Sequence, residues 1–424
     1  MPDDQPSPEQ PNNQQPIRVS SLWASWQIGA NLLWAYTGPL AVDLGATGVQ
    51  QSAVTAVQTI GNASLQWAWG SLSDRFGRRP FLFLGLIAVG ITAALIPFAQ
   101  TAWQLILLLL VPTVVGSSAI PAWNGLLGDI TSLKGRGRFV GIITAIGTVA
   151  SAIALIIIGF LATSLGLIGI AEYLVPMYVA AVSLTVSLIV VLVLTETVKP
   201  SKRRVFQIRK AVKSTPQFIP FLVINTLFFA SMGGAWPLFP IIVRGILGVN
   251  LFFIGVFTAI FNISSGVAQL SGGWLTDHYG RKPVLFVSRS LIFLAPVFHS
   301  LGAITGNIWF LIPSNIFGGG LTGLFIVSST AWLLDSSPLK HRGSVVALFN
   351  FCTGASSFLA AMVSGVILDF LRLILPYGIA VIWMMFTIAI IRIITSMGYL
   401  KVNETLVKSP AAPVPQVPGP ARAA

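Results

Sequence analysis

A short charged segment occurs twice in this chain, each time between two long apolar runs. The first copy is GSLSDRFGRRP, Gly70 to Pro80, and the second is GGWLTDHYGRKP, Gly272 to Pro283. Three chemically distinct residues recur 203 positions apart, namely Asp74 as Asp277, Gly77 as Gly280 and Arg78 as Arg281. The repeat predicts a duplicated chain in which each copy carries one charged loop between hydrophobic segments.

Composition places those segments in a membrane. Hydrophobic residues make up 54% of the 424 positions and charged residues only 9%, whereas a soluble domain has about 25% charged residues. The net charge of +13 does not indicate a nucleic-acid partner, because the basic residues fall in short loops and form no continuous face. The lipid bilayer is therefore the expected partner. A single cysteine, Cys352, carries no information about the redox compartment.

Apolar runs of about 20 residues without two-residue alternation predict helices that cross a bilayer. The sequence predicts an all-α membrane protein with twelve such helices. Their approximate spans are 20–43, 49–71, 80–99, 103–128, 138–165, 172–195, 218–243, 250–275, 283–304, 307–334, 342–369 and 374–399.

Lys and Arg are concentrated in alternate loops, and the opposite loops hold only Arg244 and Arg372. Since basic loops stay in the cytoplasm, we expect both termini there, in a multi-pass protein of the cell (plasma) membrane. The predicted organisation is a disordered N-terminal tail (1–19), a six-helix bundle (20–197), a basic linker (198–217), a second six-helix bundle (218–400) and a Pro/Ala-rich tail (401–424).

The pattern G-x-L-x-D-x-x-G-R-[RK], present in both charged loops, resembles the signature loop of the major facilitator superfamily. In that family it joins helices 2 and 3 and again helices 8 and 9, which is where the span count puts both copies here. The resemblance implies two pseudo-symmetric six-helix bundles that rock about a central site, lined mainly by helices 1, 4, 7 and 10.

The charged loops have a second acid near them. An acid and an arginine at i and i+4, beside another acid at the end of the next-but-one helix, are able to form an ion-pair network. The resemblance implies that these networks act as a cytoplasmic latch, with each loop acid facing a helix start of the other half, near Arg342 or Arg138. The predicted latch residues are Gly70, Asp74, Arg75, Gly77, Arg78, Arg79, Asp129, Arg136, Gly273, Asp277, Gly280, Arg281, Lys282, Asp335 and Arg342.

Asp43 and Arg244 occupy matching places in the two copies. Each follows a repeat-related proline, Pro39 or Pro240, by four residues. The family resemblance brings the outer ends of helices 1 and 7 together when the carrier faces inward. We therefore predict an extracellular gate formed by an Asp43 to Arg244 ion pair.

Ionisable residues inside the predicted spans are few. Arg289, Arg392 and His299 are expected to anchor their helices, the arginines by extending to lipid headgroups. No Asp or Glu lies in the middle of a span, which argues against proton coupling, because such carriers usually need a buried carboxylate. A coupling proton is kept as an alternative. Asp43 is the nearest candidate to carry that proton, followed by Glu172 and Asp369.

Uncharged polar and aromatic residues are predicted to line the substrate cavity. We found no mid-cavity Arg or Lys, so this lining favours an uncharged or amphipathic organic solute over an anion. The predicted residues are Gln27, Asn31, Trp34, Gln58, Asn62, Gln66, Trp123, Asn124, Asn225, Trp236, Asn262, Gln269, Asn315 and Asn350. Each amide could instead serve only as a hydrogen bond between helices.

The sequence contains no phosphate-binding loop, metal-ligand cluster or nucleophile-base pair, so we expect no enzyme, no cofactor and no metal. The leading prediction is a monomeric secondary transporter for a small neutral or amphipathic solute, with efflux as the first hypothesis. The fifth span lacks the Gly-Pro pair of many drug antiporters of this superfamily, which argues against that subgroup. Uptake of a sugar-like solute and a sensor that does not transport remain alternatives.

Overall fold

The computed structural model describes residues 15–131, 136–194, 208–338 and 341–401, and every regular element within these ranges is a helix. Most of the N-terminal tail, the first half of the linker 198–217 and the C-terminal tail beyond residue 401 lie outside the described residues. The described part of the linker, 208–217, begins with a short helix, Ile208–Ser214.

Twelve long helical segments follow one another along the chain. They are α1 (Gln15–Asp43), α2 (Gly48–Ser64 and Gln66–Phe76), α3 (Arg78–Phe98), α4 (Ala102–Ile130), α5 (Arg136–Ser164), α6 (Gly169–Val193), α7 (Phe218–Ile246), α8 (Leu251–Tyr279), α9 (Arg281–Thr305), α10 (Ile308–Ser336), α11 (Arg342–Leu371) and α12 (Tyr377–Lys401).

Length and apolar composition make these helices suitable for a bilayer. Within the described ranges, ten of them, α3 to α12, are long and apolar enough to cross it. The remaining two, α1 and the broken α2, carry more polar residues but pack into the same bundle. The predicted all-α membrane fold is confirmed, with segment ends that agree with the predicted spans to within a few residues.

The helices pack as two halves. In the first half α1 packs on α5 and α6, and α3 packs on α6; in the second half α7 packs on α11, and α8 packs on α10. Contact between the halves runs along two antiparallel helix pairs, α2 with α11 and α5 with α8. We call these pairs the two seams, since the space between the halves lies between them.

A single glycine makes each sharp turn inside the repeated charged loop. Gly77 separates α2 from α3 with φ at 105°, and Gly280 separates α8 from α9 with φ at 87°. Residues with a Cβ rarely adopt this backbone region, whereas glycine does so at little cost. The geometry explains why the repeat keeps glycine at both positions, directly before Arg78 and Arg281.

Small residues let the two halves touch at one end of each seam. A Cβ on Gly159 of α5 would lie 2.8 Å from the Leu251 carbonyl oxygen of α8, and one on Gly365 of α11 would lie 2.5 Å from the Gly48 carbonyl oxygen of α2. Gly159 and Gly365 are 206 positions apart, the same offset that relates Asp129 to Asp335. The duplication therefore gives both seams the same close backbone approach.

Tyr36 of α1 lies at the α5–α8 seam. Its side chain is fully buried. The hydroxyl is placed to donate either to the Leu251 carbonyl oxygen of α8, at 3.2 Å, or to the Leu155 carbonyl oxygen of α5, at 3.4 Å. One hydroxyl has one hydrogen to donate, so these two carbonyls, one from each half, share a single donor.

The two ends of the molecule differ in their described contacts. The side that holds Arg78 and Arg281 is called the basic side, and the side that holds Arg244 the opposite side. On the basic side, a Cβ on Gly141, Gly273 or Gly343 would meet no atom within 4 Å. The close contacts of Gly159 and Gly365 lie on the opposite side, so the described backbone contacts close the molecule there.

We predict that a methyl group at Gly159 will weaken opposite-side closure while one at Gly141 of the same helix will not. Gly159→Ala forces an atom against Leu251, and overpacking of this kind costs about 1–3 kcal/mol. Gly141→Ala adds an atom in open space and should stabilise the helix by about 0.5–1 kcal/mol. Thermal unfolding midpoints in detergent will therefore shift in opposite directions. Equal shifts would show that the seam tolerates the extra atom.

Candidate functional site

A charged cluster from both halves closes the opposite side. Arg244 of α7 donates from Nε to both carboxylate oxygens of Asp43 at the end of α1, each at 2.9 Å. Its Nη2 lies 2.8 Å from Asp43 and 3.2 Å from Glu172, and its Nη1 donates to the Val249 carbonyl at 3.1 Å. The Tyr173 hydroxyl completes the cluster by donating to Asp43 at 2.7 Å.

Local backbone irregularities place these side chains. Arg244 lies in a π-helical turn, Ile241–Ile246, directly after Pro240, and such turns are frequent at functional sites. Glu172 and Tyr173 lie in the 3-10 turn that starts α6, Gly169–Tyr173. The sequence predicted Asp43 with Arg244, and it missed the direct contacts of Glu172 and Tyr173, which no repeat or motif marks.

The cluster is partly withdrawn from water. The side chains of Arg244, Asp43 and Glu172 are 15%, 19% and 20% exposed. One guanidinium therefore faces two carboxylates in a partly desolvated place, where ion pairs are worth more than at a free surface. Removing the arginine would leave two acids side by side, whereas removing Asp43 would leave one matched pair.

Each seam has a helix cap that crosses between the halves. Asp369 of α11 accepts the backbone N–H groups of Gly48 and Val49, at 2.6 and 2.8 Å, at the start of α2. Thr163 of α5 accepts the N–H of Phe252 at 3.2 Å, at the start of α8. Thr163 and Asp369 are 206 positions apart. The two caps therefore occupy repeat-related positions, but only one of them is charged.

Helix starts have unpaired N–H groups and a partial positive charge, so an acceptor there is stabilising and a carboxylate more so. Asp369 is also 3.5 Å from Arg372 of its own helix end. The sequence named Asp369 only as a remote candidate for proton coupling. The structure shows it bound to the first turn of a helix in the other half.

On the basic side, each charged loop folds back on its own half. Arg78 pairs with Asp74 and, at 3.4 Å, with Asp129. Arg281 lies 3.4 Å from Asp277 and 2.9 Å from Asp335. Among the described residues neither Asp74 nor Asp277 has a polar contact with the other half, and Arg342 donates to the Ser337 carbonyl of its own half.

The next basic residue of each loop binds a helix end. Arg79 donates to the Leu192 carbonyl at the end of α6, and Lys282 donates to the Leu400 carbonyl at the end of α12, the latter at 2.7 Å. Terminal carbonyls lack helical partners and attract cations. These two predicted latch residues therefore contact α6 and α12 of their own halves.

Other predicted latch residues have separate placements. Arg75 lies over the Phe76 ring, and His278, its counterpart in the second copy, stacks on Trp274. Arg136 belongs to α5, but its side chain lies outside the described part of the structure, as does that of Arg138. Gly70 and Gly273 lie within α2 and α8.

A cavity of about 440 Å³ lies between the halves. Its walls come from α1, α2, α7, α8, α9, α10 and α12. Most of the wall is apolar and aromatic, with Trp34 and Phe261 in tilted contact at 6.1 Å and Trp236, Phe239 and Phe257 nearby. Cavities of this size and character bind small organic molecules.

Four of the predicted cavity residues line this space, namely Trp34, Gln58, Trp236 and Asn315. Gln58 donates to Thr37 at 2.8 Å, and Asn315 donates to the Leu311 carbonyl at 2.7 Å. In both amides, one N–H group is therefore already hydrogen-bonded to a protein atom. The remaining predicted residues lie elsewhere in the described structure, except Asn62, whose side chain lies outside it.

Two predicted cavity residues are buried inside single halves. Trp123 is 3% exposed and stacks on Trp23 with ring centres 4.7 Å apart. Asn225 is fully buried and accepts a 2.6 Å hydrogen bond from the Tyr399 hydroxyl. Helical periodicity shows which polar residues share a helix face, but it does not show which neighbour that face points toward. The prediction that these two residues line the cavity was therefore wrong.

Several predicted amides connect helices. Asn262 of α8 donates to Asn31 of α1 at 2.9 Å, across the two halves, and Gln269 donates to Ser265 at 3.2 Å within α8. The other predicted residues, absent from the cavity wall, are Gln27, Gln66, Asn124 and Asn350. Asn31 and Asn262 therefore have the alternative role predicted for these amides, which is a hydrogen bond between helices.

The intramembrane basic residues contradict the sequence expectation. Arg289 and Arg392 are each 1% exposed and His299 is 7% exposed, so neither arginine reaches the lipid headgroups. Arg392 and His299 line the cavity. Sequence analysis predicted no mid-cavity cation, because the direction in which α12 presents position 392 depends on packing that periodicity does not encode.

A family model described as Major Facilitator Superfamily matches residues 24–229 and 221–418 of this chain. The multidrug resistance protein MdtG of Proteus mirabilis (strain HI4320) is 28% identical over 257 residues, which cover 57% of this chain and 60% of that protein. The chain thus spans about 60% of the length of that relative.

Two further matches extend this comparison. The class H tetracycline resistance protein of Pasteurella multocida is 24% identical over 294 residues, covering 66% of this chain and 71% of that protein. The crystal structure of a mutant of the nucleoside transporter NupG superimposes with a TM-score of 0.77 at 15% identity, covering 92% of this chain and 99% of that one. This last likeness concerns the fold alone.

We predict unequal effects for the two partners of the opposite-side ion pair. Arg244→Gln leaves Asp43 and Glu172 to repel each other and should weaken closure by about 1–3 kcal/mol. Asp43→Asn leaves the Arg244 to Glu172 pair and should have a smaller effect. The measurement is labelling of Thr258→Cys in a Cys352→Ser background by an impermeant maleimide added to the opposite side. Equal labelling in the two variants would contradict the predicted asymmetry.

The caps predict a separate pair of outcomes in hydrogen exchange. Asp369→Asn should speed amide exchange in residues 47–52, because the carboxylate bound to the start of α2 is worth about 1–2 kcal/mol. Thr163→Val should speed exchange only in residues 251–254. Arg372→Gln is the control, because its pair with Asp369 is 42% exposed on the arginine side and should contribute little. If both variants speed amide exchange in the same residues, the assignment of each cap to its own helix start is wrong.

Proposed function

The chain belongs to the major facilitator superfamily, and we propose that this transporter carries a small neutral or amphipathic organic solute across the cell membrane by alternating access. The observation that carries the proposal is the aromatic cavity between the halves. A charged cluster joins the halves on one side of it, and the described ion pairs of the charged loops on the other side stay within their own halves. Such a cavity is accessible from one side at a time.

We propose that the basic side faces the cytoplasm. Basic loops remain cytoplasmic during insertion, and the loops with Arg78 and Arg281 share one side of the molecule. The described conformation would then be inward-facing. The cluster of Arg244, Asp43 and Glu172 acts as the extracellular gate, helped by the caps at Asp369 and Thr163.

In the outward-facing state the halves would close on the basic side instead. The loop acids Asp74 and Asp277 are exposed by 39% and 77%, so they are available to meet the helix starts near Arg342 and Arg138. Closing the basic side would separate the halves at the opposite side and break the Arg244 cluster. We propose that exchange between these two sets of contacts drives the cycle, as predicted for the latch and the gate.

The direction proposed is export. The curated relatives carry names of drug resistance proteins, and the cavity wall is mainly apolar, which suits lipophilic compounds. Uptake of a sugar-like solute loses support, because only Gln58 and Asn315 among the predicted amides line the cavity and both already bind protein atoms.

Export is tested in cells and in proteoliposomes with a panel of lipophilic compounds that includes tetracycline. Cells producing the protein should accumulate less of a transported compound, and proteoliposomes should show counterflow of it. Binding without counterflow would indicate a sensor, and net inward transport would overturn export.

We predict that Trp34→Ala lowers the apparent affinity for a transported compound about 5- to 100-fold, since losing a packed aromatic ring costs about 1–3 kcal/mol. Trp383→Ala is the matched control. Both side chains are 54% exposed, but only Trp34 lines the cavity. Concentration dependence of transport gives the affinity. An equal loss in both variants would show that the cavity does not hold the solute.

A further inference from the structure

The second half of the molecule contains two buried cations with no acid beside them. The described Asp and Glu residues are all engaged at helix ends with Arg78, Arg244, Arg281 or Arg372. None of them pairs with Arg289 or Arg392. A buried, uncompensated charge costs several kcal/mol, so each arginine needs a stabilising partner of another kind.

Aromatic rings supply that partner for Arg289. Its guanidinium carbon lies 3.1 Å from the ring centre of Phe325, 3.9 Å from that of Phe228 and 5.1 Å from that of Phe229. Its Nε and Nη2 are buried without a hydrogen-bond partner in the described structure, so the rings are what surround the charge. Contacts with ring faces favour a cation, and more so away from water. Aromatic rings on several sides therefore stabilise the charge of Arg289 within the protein.

Arg392 has no such environment. Its Nη1 donates to the Ile292 carbonyl at 3.3 Å, an oxygen that a helix would pair with residue 296, where Pro296 has no N–H to donate. Its Nε and Nη2 are buried and have no hydrogen-bond partner in the described structure. A neutral carbonyl does not offset a full charge, so this site remains electrostatically incomplete.

The same side chain lines the cavity. Ile292, Arg392 and His299 form part of one wall. The Nδ1 atom of His299 faces the Ala295 carbonyl and the Ser314 hydroxyl. Ser314 gives its own proton to that carbonyl at 2.7 Å, so Nδ1 is the nitrogen that carries the hydrogen. An arginine and a histidine thus lie at one wall of an otherwise apolar space.

We propose that this wall is a subsite for the anionic group of an amphipathic organic substrate, held by the free Nε and Nη2 of Arg392. A planar guanidinium is suited to carboxylate, phosphate or sulfonate oxygens. The apolar body of the substrate then lies against Trp34 and Trp236. The proposal rests on the proposed transport function and narrows its substrate class to organic anions.

The test compares probes that differ only in charge. We would measure thermal unfolding of the purified protein, in an uncharged detergent and gluconate buffer, with 4-phenylbutyrate and with 4-phenylbutyramide. The expected result is that the carboxylate half-saturates the stabilisation at a concentration at least about ten-fold lower than the amide. Equal stabilisation by the two probes in the unmodified protein would overturn the proposal.

Variants locate the effect. Arg392→Gln should abolish the preference for the carboxylate, Arg392→Lys should keep part of it, and Arg289→Gln should retain it because Arg289 is covered by rings. A preference that survives in Arg392→Gln would overturn the assignment. The wild-type comparison and Arg392→Lys test the site even where Arg392→Gln does not fold.

Chloride in place of gluconate separates an inorganic anion from an organic one. Chloride that stabilises the protein through Arg392, without any difference between carboxylate and amide, would overturn the organic-anion subsite. Counterflow of a neutral compound that persists when the two probes bind equally would reject the subsite and leave the transport function in place. Loss of all counterflow, together with a preference for the carboxylate, would reject the transport function and leave the subsite in place.

Discussion

The bilayer interior offers no water, so every polar group buried there must find its partner within the protein. The helices satisfy the backbone, and the arrangement of the few charges follows from the same constraint. Acids and most arginines meet at helix ends, where Arg244 closes the opposite side and Arg78 and Arg281 organise the basic side. Arg289 is stabilised by aromatic rings. Among the described residues, Arg392 lines the cavity and has two buried donors without a protein partner, and this makes it the position with most to gain from a ligand.

Duplication explains much of the molecule, and departures from it are informative. The turns at Gly77 and Gly280, the networks of Arg78 and Arg281 and the close approaches of Gly159 and Gly365 are repeat-related. The caps are repeat-related in position but differ in chemistry, because a threonine serves one seam and an aspartate the other. A neutral cap and a charged cap hold with different strengths, so the two seams of one molecule differ in energy.

The sequence predicted the fold and the charged contacts better than it predicted the cavity. The spans were predictable because hydrophobic length is a local property of the chain. The pairing of Asp43 with Arg244 was predictable because duplication puts the two residues at matching positions. The direction in which a membrane helix points its polar residues depends on its neighbours. Trp123 and Asn225 were therefore placed in the cavity when they are core residues, and Arg392 was placed at the lipid surface when it lines the cavity.

Tyr36 has a consequence for how the two halves slide past each other. Its one hydrogen has an acceptor on α8 and another on α5, which belongs to its own half. When α8 withdraws, the hydroxyl turns to the Leu155 carbonyl and remains satisfied. In the proposed movement the hydrogen bond of Tyr36 therefore passes from one carbonyl to the other. The hydroxyl is at no point left without a partner in an apolar environment.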